Sequence, residues 1–291
     1  MNFRDDTCSI ITVNYNSFSY TKNLISSLEM DHNQNNFLYV IDNFSSDESF
    51  KKILNLLKVN DNCKINLNDS KILCSYKINN IYLIRLCDNY GYGSAVNVAL
   101  KVISTKIKNS FYWIINNDID IESNTLKLLK EKYVNNTIVS PAIYELNNRS
   151  KIQSLGCKIN PYFLTTTNIT SISHLNKVQV DYLSGVSLFF NDEVLSKVGF
   201  LSESYFMYYE DVDWSIRALN QGIGLMINLD AKIFHNSKKY INFNLKSRSI
   251  FNRIILSIKF YKFNILLVLL YSMVSFLFNL IKYPFIIKNV K

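Results

Sequence analysis

The first half of the chain alternates short apolar runs with segments of helical periodicity. Residues 8–14 form a continuous apolar run rich in β-branched side chains, which is typical of a buried parallel strand. Three similar runs follow, separated by segments with helical spacing. The pattern predicts strands at 8–14, 37–42, 81–86 and 111–116, and helices at 19–30, 47–58 and 94–105. This alternation indicates an α/β fold with a mostly parallel sheet flanked by helices.

Two segments depart from this alternation. Residues 59–80 are polar and irregular, which predicts an insertion at an edge of the sheet. Between 141 and 181, short alternating runs such as 165–172 favour strands or hairpins over helices. Beyond this region the pattern predicts a strand at 182–191 and helices at 192–198 and 210–221.

Polar residues follow each of the four strands predicted in the first half. Ligands of an open α/β sheet gather beyond the carboxyl ends of its strands. One polar strand end is ordinary, but four in succession, two of them with carboxylate pairs, predict a ligand site at this edge. The four polar segments are 14–16, 42–47, 89–97 and 116–120.

Two of these segments contain short motifs. Gly91-Tyr92-Gly93 resembles part of a dinucleotide fingerprint, but it lacks the third glycine and follows the third strand, so we set that interpretation aside. Asp118 and Asp120 have the spacing to present two carboxylates to Mg²⁺ or Mn²⁺ bridging a diphosphate. The alternative is a helix start capped by Asp120 or Ser123, and the spacing alone does not decide between them.

An acidic cluster lies among aromatic residues in the second half. Glu210, Asp211 and Asp213 fall within four positions, directly after two tyrosines. A buried carboxylate needs a partner or a raised pKa, and one poised to accept a proton is a general base. The alternative is an acidic first turn of an exposed helix. His235 follows the cluster, and by itself it is consistent with a hydrogen-bonded histidine at a strand end.

Composition agrees with a folded protein. In 291 residues, 48% hydrophobic and 14% aromatic side chains support a sizeable core and argue against disorder. The five cysteines form no Cys-x-x-Cys pair, which predicts reduced thiols rather than a zinc site or a disulfide framework. No apolar leader precedes the first predicted strand, so we expect the protein to remain in the cytoplasm.

The basic charge is concentrated near the C-terminus. The formal charge is +9, yet no acidic residue follows Asp230, and residues 1–231 carry 21 Lys and Arg against 23 acidic residues. Residues 264–281 are eighteen uncharged positions flanked by Lys259, Lys262 and Lys282, near the lower limit for crossing a bilayer. Basic and aromatic flanks favour an anionic membrane surface over nucleic acid as the partner. A core helix packed on the domain is the alternative.

Taken in order, these motifs resemble the family-2 inverting glycosyltransferases of the GT-A fold. The four polar strand ends carry the match in the first half, and residues 184–190, 198–203, 206–213, Arg217 and His235 carry it in the second. The resemblance covers roughly residues 8–260 and is greatest to bacterial rhamnosyltransferase-like enzymes. Two positions depart from the family pattern. Asn116 stands where the metal motif often begins with Asp, and Val186 follows Gly185 where small residues are commoner.

The resemblance implies roles for residues on the donor side. Tyr15 would stack on the pyrimidine, and Asp42 would accept the imide N–H of the base. Three asparagines would line the ribose and the diphosphate. These are Asn89, Asn97 and Asn116.

It also implies a metal site and a base. Asp118 and His235 would coordinate Mn²⁺ or Mg²⁺, with Asp120 as a helper, and the cation would assist the departing diphosphate. Asp211 would deprotonate the acceptor hydroxyl. The residues implied on the acceptor side are Glu210 and Trp214.

From this resemblance we expect a GT-A catalytic domain at 1–245 and a membrane-associating helical tail at 246–291. The expected reaction transfers a sugar, foremost rhamnose from dTDP-rhamnose, to a lipid-linked saccharide in O-antigen, capsule or cell-wall synthesis. We expect it at the anionic cytoplasmic face of the bacterial inner membrane, without nucleic acid as a partner. A UDP-dependent galactosyl-, glucosyl- or galactofuranosyltransferase is the alternative within the class. A non-catalytic, membrane-tethered nucleotide-sugar-binding scaffold is the alternative from another class.

Overall fold

The structure, a computed structural model, describes residues 7–29, 35–105, 111–176, 179–236 and 243–288. The strands are β1 (Cys8–Asn14), β2 (Asn36–Asp42), β3 (Lys64–Ile65), β4 (Ile72–Ile78), β5 (Ile81–Leu86), β6 (Phe111–Ile115), β7 (Ile119–Ile121), β8 (Thr137–Glu145), β9 (Asn148–Ser154), β10 (Cys157–Ile159), β11 (Thr166–Asn168), β12 (Ser187–Asn191) and β13 (Gly224–His235). The helices are α1 (Phe18–Glu29), α2 (Ser49–Leu56), α3 (Tyr92–Ser104), α4 (Thr125–Glu131), α5 (Ile172–Leu175), α6 (Asp192–Val198), α7 (Glu210–Asn220), α8 (Phe243–Phe260) and α9 (Ile265–Lys288).

A large mixed sheet forms the centre of the molecule. Its strand order is β3-β4-β5-β2-β1-β6-β12-β8-β13-β7, and β9 pairs with β8. The strands β5, β2, β1 and β6 run parallel, as the alternation predicts, while β12 joins β6 in the antiparallel direction. All seven residues of β1 are buried, since the sheet carries helices on both faces. The predicted α/β fold class is confirmed.

Two hydrophobic clusters cover the two faces of the sheet. Side chains of α3, α6 and α7 form one cluster, in which Val96, Val194 and Trp214 are fully buried. Side chains of α1, α2 and α4 form the other, through residues such as Leu24 and Ile53. The helices therefore fix the sheet from both sides, and the carboxyl ends of its parallel strands stay open at one edge.

Two segments differ from the sequence prediction. Residues 59–80 do lie at the sheet edge, but they form the antiparallel strands β3 and β4 rather than an irregular loop. The predicted strand 182–191 begins only at Ser187. The preceding residues leave the sheet because the backbone N–H of Gly185 turns to donate to the side chain of Asp211.

The C-terminal helices form a third cluster with the rest of the fold. Leu256 of α8 and Val268 of α9 are fully buried, together with Tyr205, Tyr209 and Val212. The predicted boundary between 245 and 246 falls inside α8, and it stays a prediction. In contrast to these anchor points, most α9 side chains between Ile265 and Leu280 are exposed, and the stretch Lys262–Leu280 has a mean hydropathy of 2.0. By length and composition this helix could cross or anchor to a membrane.

Candidate active site

The loops after β1 and β2 are tied together at the carboxyl edge of the sheet. Asp42 is fully buried, and its Oδ1 accepts hydrogen bonds from Asn14 Nδ2 (2.8 Å) and Ser45 Oγ (2.6 Å). The backbone N–H of Asn16 donates to the same serine oxygen at 3.0 Å. In this arrangement Asp42 organises the two loops and does not reach the surface, and its predicted contact to a nucleotide base stays a prediction.

Aromatic surface remains exposed beside these loops. Tyr15, at the end of β1, is 44% exposed, as a stacking residue must be, and Phe44 is 39% exposed. The guanidinium of Arg85 lies over the rings of Phe44 and Phe50, at 5.6 and 4.6 Å from their centroids. Phe44 has a left-handed backbone with φ of 61°, which the sequence pattern does not predict. Tyr15 and Phe44 thus present exposed ring surface at this edge, of the kind on which a planar group can stack.

Two asparagines assigned to the donor bind other parts of the protein. Asn89 Oδ1 accepts from Asn43 Nδ2 (2.8 Å) and from the N–H of Gly91 (3.1 Å), so it shapes its own loop. Asn97 is 1% exposed and exchanges two hydrogen bonds with the backbone of Leu201, at 2.9 and 3.0 Å. Asn97 therefore joins α3 to the loop after α6, and its predicted role near the ribose stays a prediction.

Gly91 is required by a close approach between two backbone segments rather than by a bound phosphate. Its φ is +83°, and a Cβ built there would lie 2.2 Å from the carbonyl oxygen of Phe206. The same oxygen accepts from the N–H of Tyr92 at 2.9 Å, at the first turn of α3. The helix start is therefore capped by the chain itself, in agreement with setting the dinucleotide motif aside.

Asp118 and His235 come together from two different strand ends. His235 Nε2 lies 3.4 Å from Asp118 Oδ1, and both side chains are largely buried. The side-chain amide of Gln153 contacts the other ring nitrogen, Nδ1, at 2.9 Å. Asn116 is partly exposed at the end of β6, two residues before Asp118. The sequence motifs anticipate the Asp118–His235 pair, but they give no signal for Gln153, which reaches it from β9.

Asp120 is engaged elsewhere. It lies in β7 opposite Phe234, and its carboxylate pairs with Arg149 Nη2 at 2.6 Å. The guanidinium of Arg149 also lies 4.3 Å from the ring centroid of Phe234. The alternative role of Asp120 as a helix cap is wrong, since Asn124 precedes α4, and its assignment to the metal stays a prediction. Among the described residues, no group of three His, Cys, Asp or Glu side chains is arranged around a cation.

The pair Glu210 and Asp211 begins α7. Asp211 Oδ2 accepts from the N–H of Gly185, and Oδ1 accepts from the N–H of Val212, both at 2.8 Å. Burial raises the pKa of the Asp211 carboxyl, and these two N–H groups oppose the rise. Glu210 is 6% exposed, and its Oε2 has no hydrogen-bond partner among the described residues. Burial, with the neighbouring Asp211, raises the pKa of Glu210 to about 8.

Tyr92 connects this pair with the Asp118 side of the cleft. Its hydroxyl donates to the carbonyl oxygen of Gly185 at 3.3 Å. Burial raises the pKa of Tyr92, and the charges of Glu210, Asp211 and Asp118 raise it further, in that order. The three carboxyl groups therefore lie close enough to Tyr92 to raise the pKa of its hydroxyl.

The last two motif residues are structural. Asp213 is 1% exposed and binds Arg217 Nε (2.7 Å) and Lys259 Nζ (2.9 Å). Trp214 is fully buried, and its indole N–H donates to the carbonyl of Gly199 at 2.8 Å. Trp214 has no exposed surface, and its assignment to the acceptor pocket stays a prediction. Lys259, which the sequence places in the basic flank of the apolar segment, also forms an ion pair with the buried Asp213.

Comparison of the sequence with known proteins gives one informative relative. No family model matches the chain. The chain is 25% identical over 208 residues to the low-salt glycan biosynthesis hexosyltransferase Agl10 of Haloferax volcanii. The match spans 64% of this chain and 66% of that protein, just under two thirds of its length.

Comparison of the structure with solved structures defines the fold. The mannosyltransferase PcManGT from Pyrobaculum calidifontis, in complex with GDP-Man and Mn²⁺, superposes with a TM-score of 0.60 at 12% identity, over 97% of this chain and 76% of that one. Residues 1–349 of S. aureus TarS give a TM-score of 0.53 at 16% identity, over 94% and 71% of the two chains. Their complex with UDP-GlcNAc gives 0.52 at 18% identity, over 86% and 66%. The protein is thus homologous to a hexosyltransferase and has a GT-A-like glycosyltransferase fold.

Proposed function

We propose that the protein is an inverting hexosyltransferase that uses a nucleotide-diphosphate sugar. The observation that carries the proposal is the setting of Asp211, a largely enclosed carboxylate held by two backbone N–H groups beside a second, proton-retaining carboxyl group. A fixed carboxylate with a raised pKa is suited to accept a proton. Homology to the hexosyltransferase Agl10 supports the same reaction class.

In the proposed reaction, Asp211 takes the proton of an acceptor hydroxyl. The hydroxyl oxygen attacks the anomeric carbon of the donor, and the bond from that carbon to the diphosphate oxygen breaks on the opposite face. The configuration at the anomeric carbon inverts, and a nucleoside diphosphate leaves. Glu210, with its pKa near 8, holds its proton at neutral pH, so it does not add a second negative charge beside the base.

Asp118 and His235 fit a divalent cation. One carboxylate oxygen and one imidazole nitrogen face each other across 3.4 Å, and diphosphate oxygens would complete the coordination of Mn²⁺ or Mg²⁺. When bound, such a cation supplies Lewis-acid stabilisation of the departing diphosphate. Gln153 would fix the imidazole: accepting the Nδ1 proton leaves Nε2, the nitrogen facing Asp118, free to bind metal.

For the donor we propose rhamnose from dTDP-rhamnose first, on the sequence resemblance described above. UDP-galactose, UDP-glucose and UDP-galactofuranose are the alternatives. The base would stack on the exposed ring of Tyr15, and Asn116 at the end of β6 would face the diphosphate. The structural neighbours bind GDP-Man, UDP and UDP-GlcNAc, so donors with these nucleotides belong in the same screen.

For the acceptor we propose a lipid-linked saccharide in O-antigen, capsule or cell-wall synthesis. The support is the exposed apolar surface of α9, whose side chains include Leu266, Leu270, Met273 and Phe278. So large an apolar surface indicates a membrane partner, here the anionic cytoplasmic face of an inner membrane. Enzyme and lipid acceptor would then share one surface.

A screen of donors by thermal shift, followed by transfer assays, tests the proposal. The candidate dTDP-, UDP- and GDP-sugars are added with Mn²⁺, with Mg²⁺ or with a chelator, and a bound donor raises the melting temperature. Asp61→Asn, at an exposed position in the short 3-10 turn before β3, is the surface control. Stabilisation by one donor together with an inverted glycoside product supports the proposal. Donor binding without any turnover points instead to the non-catalytic scaffold, and binding of no donor contradicts both.

A further inference from the structure

The residues leading into α7 have an unusual backbone. Tyr208 and Tyr209 are consecutive left-handed residues, with φ of 71° and 72°, and neither is glycine. Residues other than glycine disfavour the left-handed backbone conformation, so the surrounding structure must hold the segment in place. The next two residues are Glu210 and Asp211. Whatever fixes the two tyrosines therefore also fixes the direction in which the proposed base projects.

Asn252 of α8 binds this segment directly. Its Nδ2 donates to the carbonyl oxygen of Met207 and to that of Tyr208, each at 2.8 Å. Asn252 is 6% exposed, so water does not readily replace these bonds. An amide nitrogen has two N–H donors, which suits two consecutive carbonyl groups. Both carbonyls precede the helix, so α7 provides no N–H groups for them by its regular bonding.

Other contacts hold α8 in the position that this interaction needs. Lys259 reaches from the end of α8 to Asp213 Oδ2 (2.9 Å) and to Ser202 Oγ (2.6 Å). At the other end, the guanidinium of Arg248 lies 4.1 Å from the ring centroid of Phe206. Between them, Leu256 is fully buried in the cluster that contains Tyr209 and Val212. Polar, cation–π and apolar contacts thus fasten α8 along the whole segment that presents Asp211.

We propose that Asn252 is a positioning residue for the general base, and that α8 is a working part of the catalytic unit rather than of the membrane tail. The inference rests on the proposed function in that it takes Asp211 as the base. It adds that the amide of Asn252, by holding the carbonyls of Met207 and Tyr208, keeps Asp211 in line with the acceptor. Because α8 also packs against α9, the position of the two C-terminal helices affects catalysis through the hydrogen bonds of Asn252.

Asn252→Asp, a nearly isosteric change that removes both donors, tests the inference in the full-length protein. We expect kcat for transfer to a short water-soluble acceptor to fall about tenfold or more, because small displacements of a reacting group are costly. The KM for the nucleotide sugar should stay within about twofold of the wild-type value, because the residues proposed to bind the nucleotide sugar do not contact Asn252. Asn252→Ala, which removes the donors without adding charge, should give the same separation of kcat from KM.

Asn264→Asp is the matched control. Asn264 lies just beyond α8, and its amide donates to the carbonyl of Pro161 at 2.7 Å, away from α7. This variant should keep the wild-type kcat. Hydrogen exchange in the peptide 203–213 gives a readout independent of turnover, and it should become faster in both Asn252 variants only. Wild-type kcat and exchange in those variants would overturn the inference. A wild-type protein without transfer activity would instead contradict the proposed function, and the exchange result would still decide whether Asn252 holds the segment.

Discussion

Glu210 is the residue whose environment is most at odds with its charge. It is almost fully buried, its Oε2 has no hydrogen-bond partner in the part of the chain that the structure describes, and burial raises its pKa to about 8. A carboxyl group whose pKa is higher in the folded than in the unfolded state favours folding at low pH. That contribution is complete below the unfolded value of 4.5, and it is lost as the pH rises through about 8.

Glu210→Gln should therefore remove a pH dependence of stability. The neutral amide cannot ionise. Relative to the wild type, the melting temperature of the variant should therefore rise as the pH increases from 5 to about 8.5. Thermal melts of both proteins across this range measure the effect. Glu131→Gln, at an exposed position of α4, is the control and should follow the wild type. Parallel curves for the wild type and Glu210→Gln would contradict a raised pKa at this position.

The metal proposal separates Asp118 from Asp120. Asp118→Ala and His235→Ala should each weaken nucleoside diphosphate binding in the presence of Mn²⁺ by about tenfold or more, because loss of even a partner of a metal ligand costs about 10–100-fold. Asp120→Ala should have a much smaller effect, because Asp120 pairs with Arg149. Calorimetric titrations with Mn²⁺ and with a chelator measure this. Affinity unchanged by the first two variants, or indifferent to the chelator, would indicate a metal-independent mechanism.

At the scale of elements, the start of α3 depends on a single glycine. Gly91→Ala places a Cβ against the backbone of Phe206 and keeps an unfavourable positive φ. Gly222→Ala has a similar φ of +72°, but no atom lies within 4 Å of the added Cβ. We expect Gly91→Ala to be the more destabilising by about 2 kcal/mol, the usual cost of overpacking. Urea unfolding of the two variants gives the difference, and equal losses would show that the contact with Phe206 relaxes freely.

The elements show why sequence predicts part of this molecule and not the rest. Buried strands such as β1 and β5 are continuous apolar runs, so their bounds follow from local pattern. The motifs likewise anticipate Asp118 and His235, which the antiparallel pairing of β7 with β13 brings together by placing His235 opposite Ile119. The bond from Asn97 to Leu201 and the bonds from Asn252 to Met207 and Tyr208 join distant segments, and no local pattern encodes them. The complete burial of Asp42 also depends on the loop fold around Ser45, which composition does not reveal.

At the scale of the whole molecule, the exposed helix α9 and the enclosed helix α8 have different roles. Removal of residues 265–291 should release the protein from membranes and should leave transfer to a water-soluble acceptor in place. The melting temperature should fall, because Val268 leaves the cluster that contains Leu256. Transfer to the lipid-linked acceptor should weaken, since tethering raises the local concentration of enzyme at the membrane.

Co-sedimentation with anionic liposomes at two salt concentrations tests this division. Binding of the full-length protein should weaken with salt, at about 1 kcal/mol for each basic residue near the surface. Lys259 should contribute less than this, because it is paired with Asp213. A truncated protein that aggregates and has lost its cooperative melt would identify α9 as core. In contrast, a larger truncation beginning at residue 243 should abolish transfer, because it removes all of α8, including the buried Leu256 and the Lys259 partner of Asp213 as well as Asn252.

The most direct test of the account is the behaviour of Asp211→Asn. The variant keeps the size of the side chain but cannot accept a proton, and it lies on the acceptor side of the proposed site. Transfer should fall by about a hundredfold or more, the usual contribution of a general base, while affinity for the nucleoside diphosphate stays nearly unchanged. Transfer and calorimetric binding are measured on the same preparation, with Asp61→Asn as the control. Near wild-type turnover would contradict the assignment of the base, and a loss of nucleotide affinity would place Asp211 in the donor site instead.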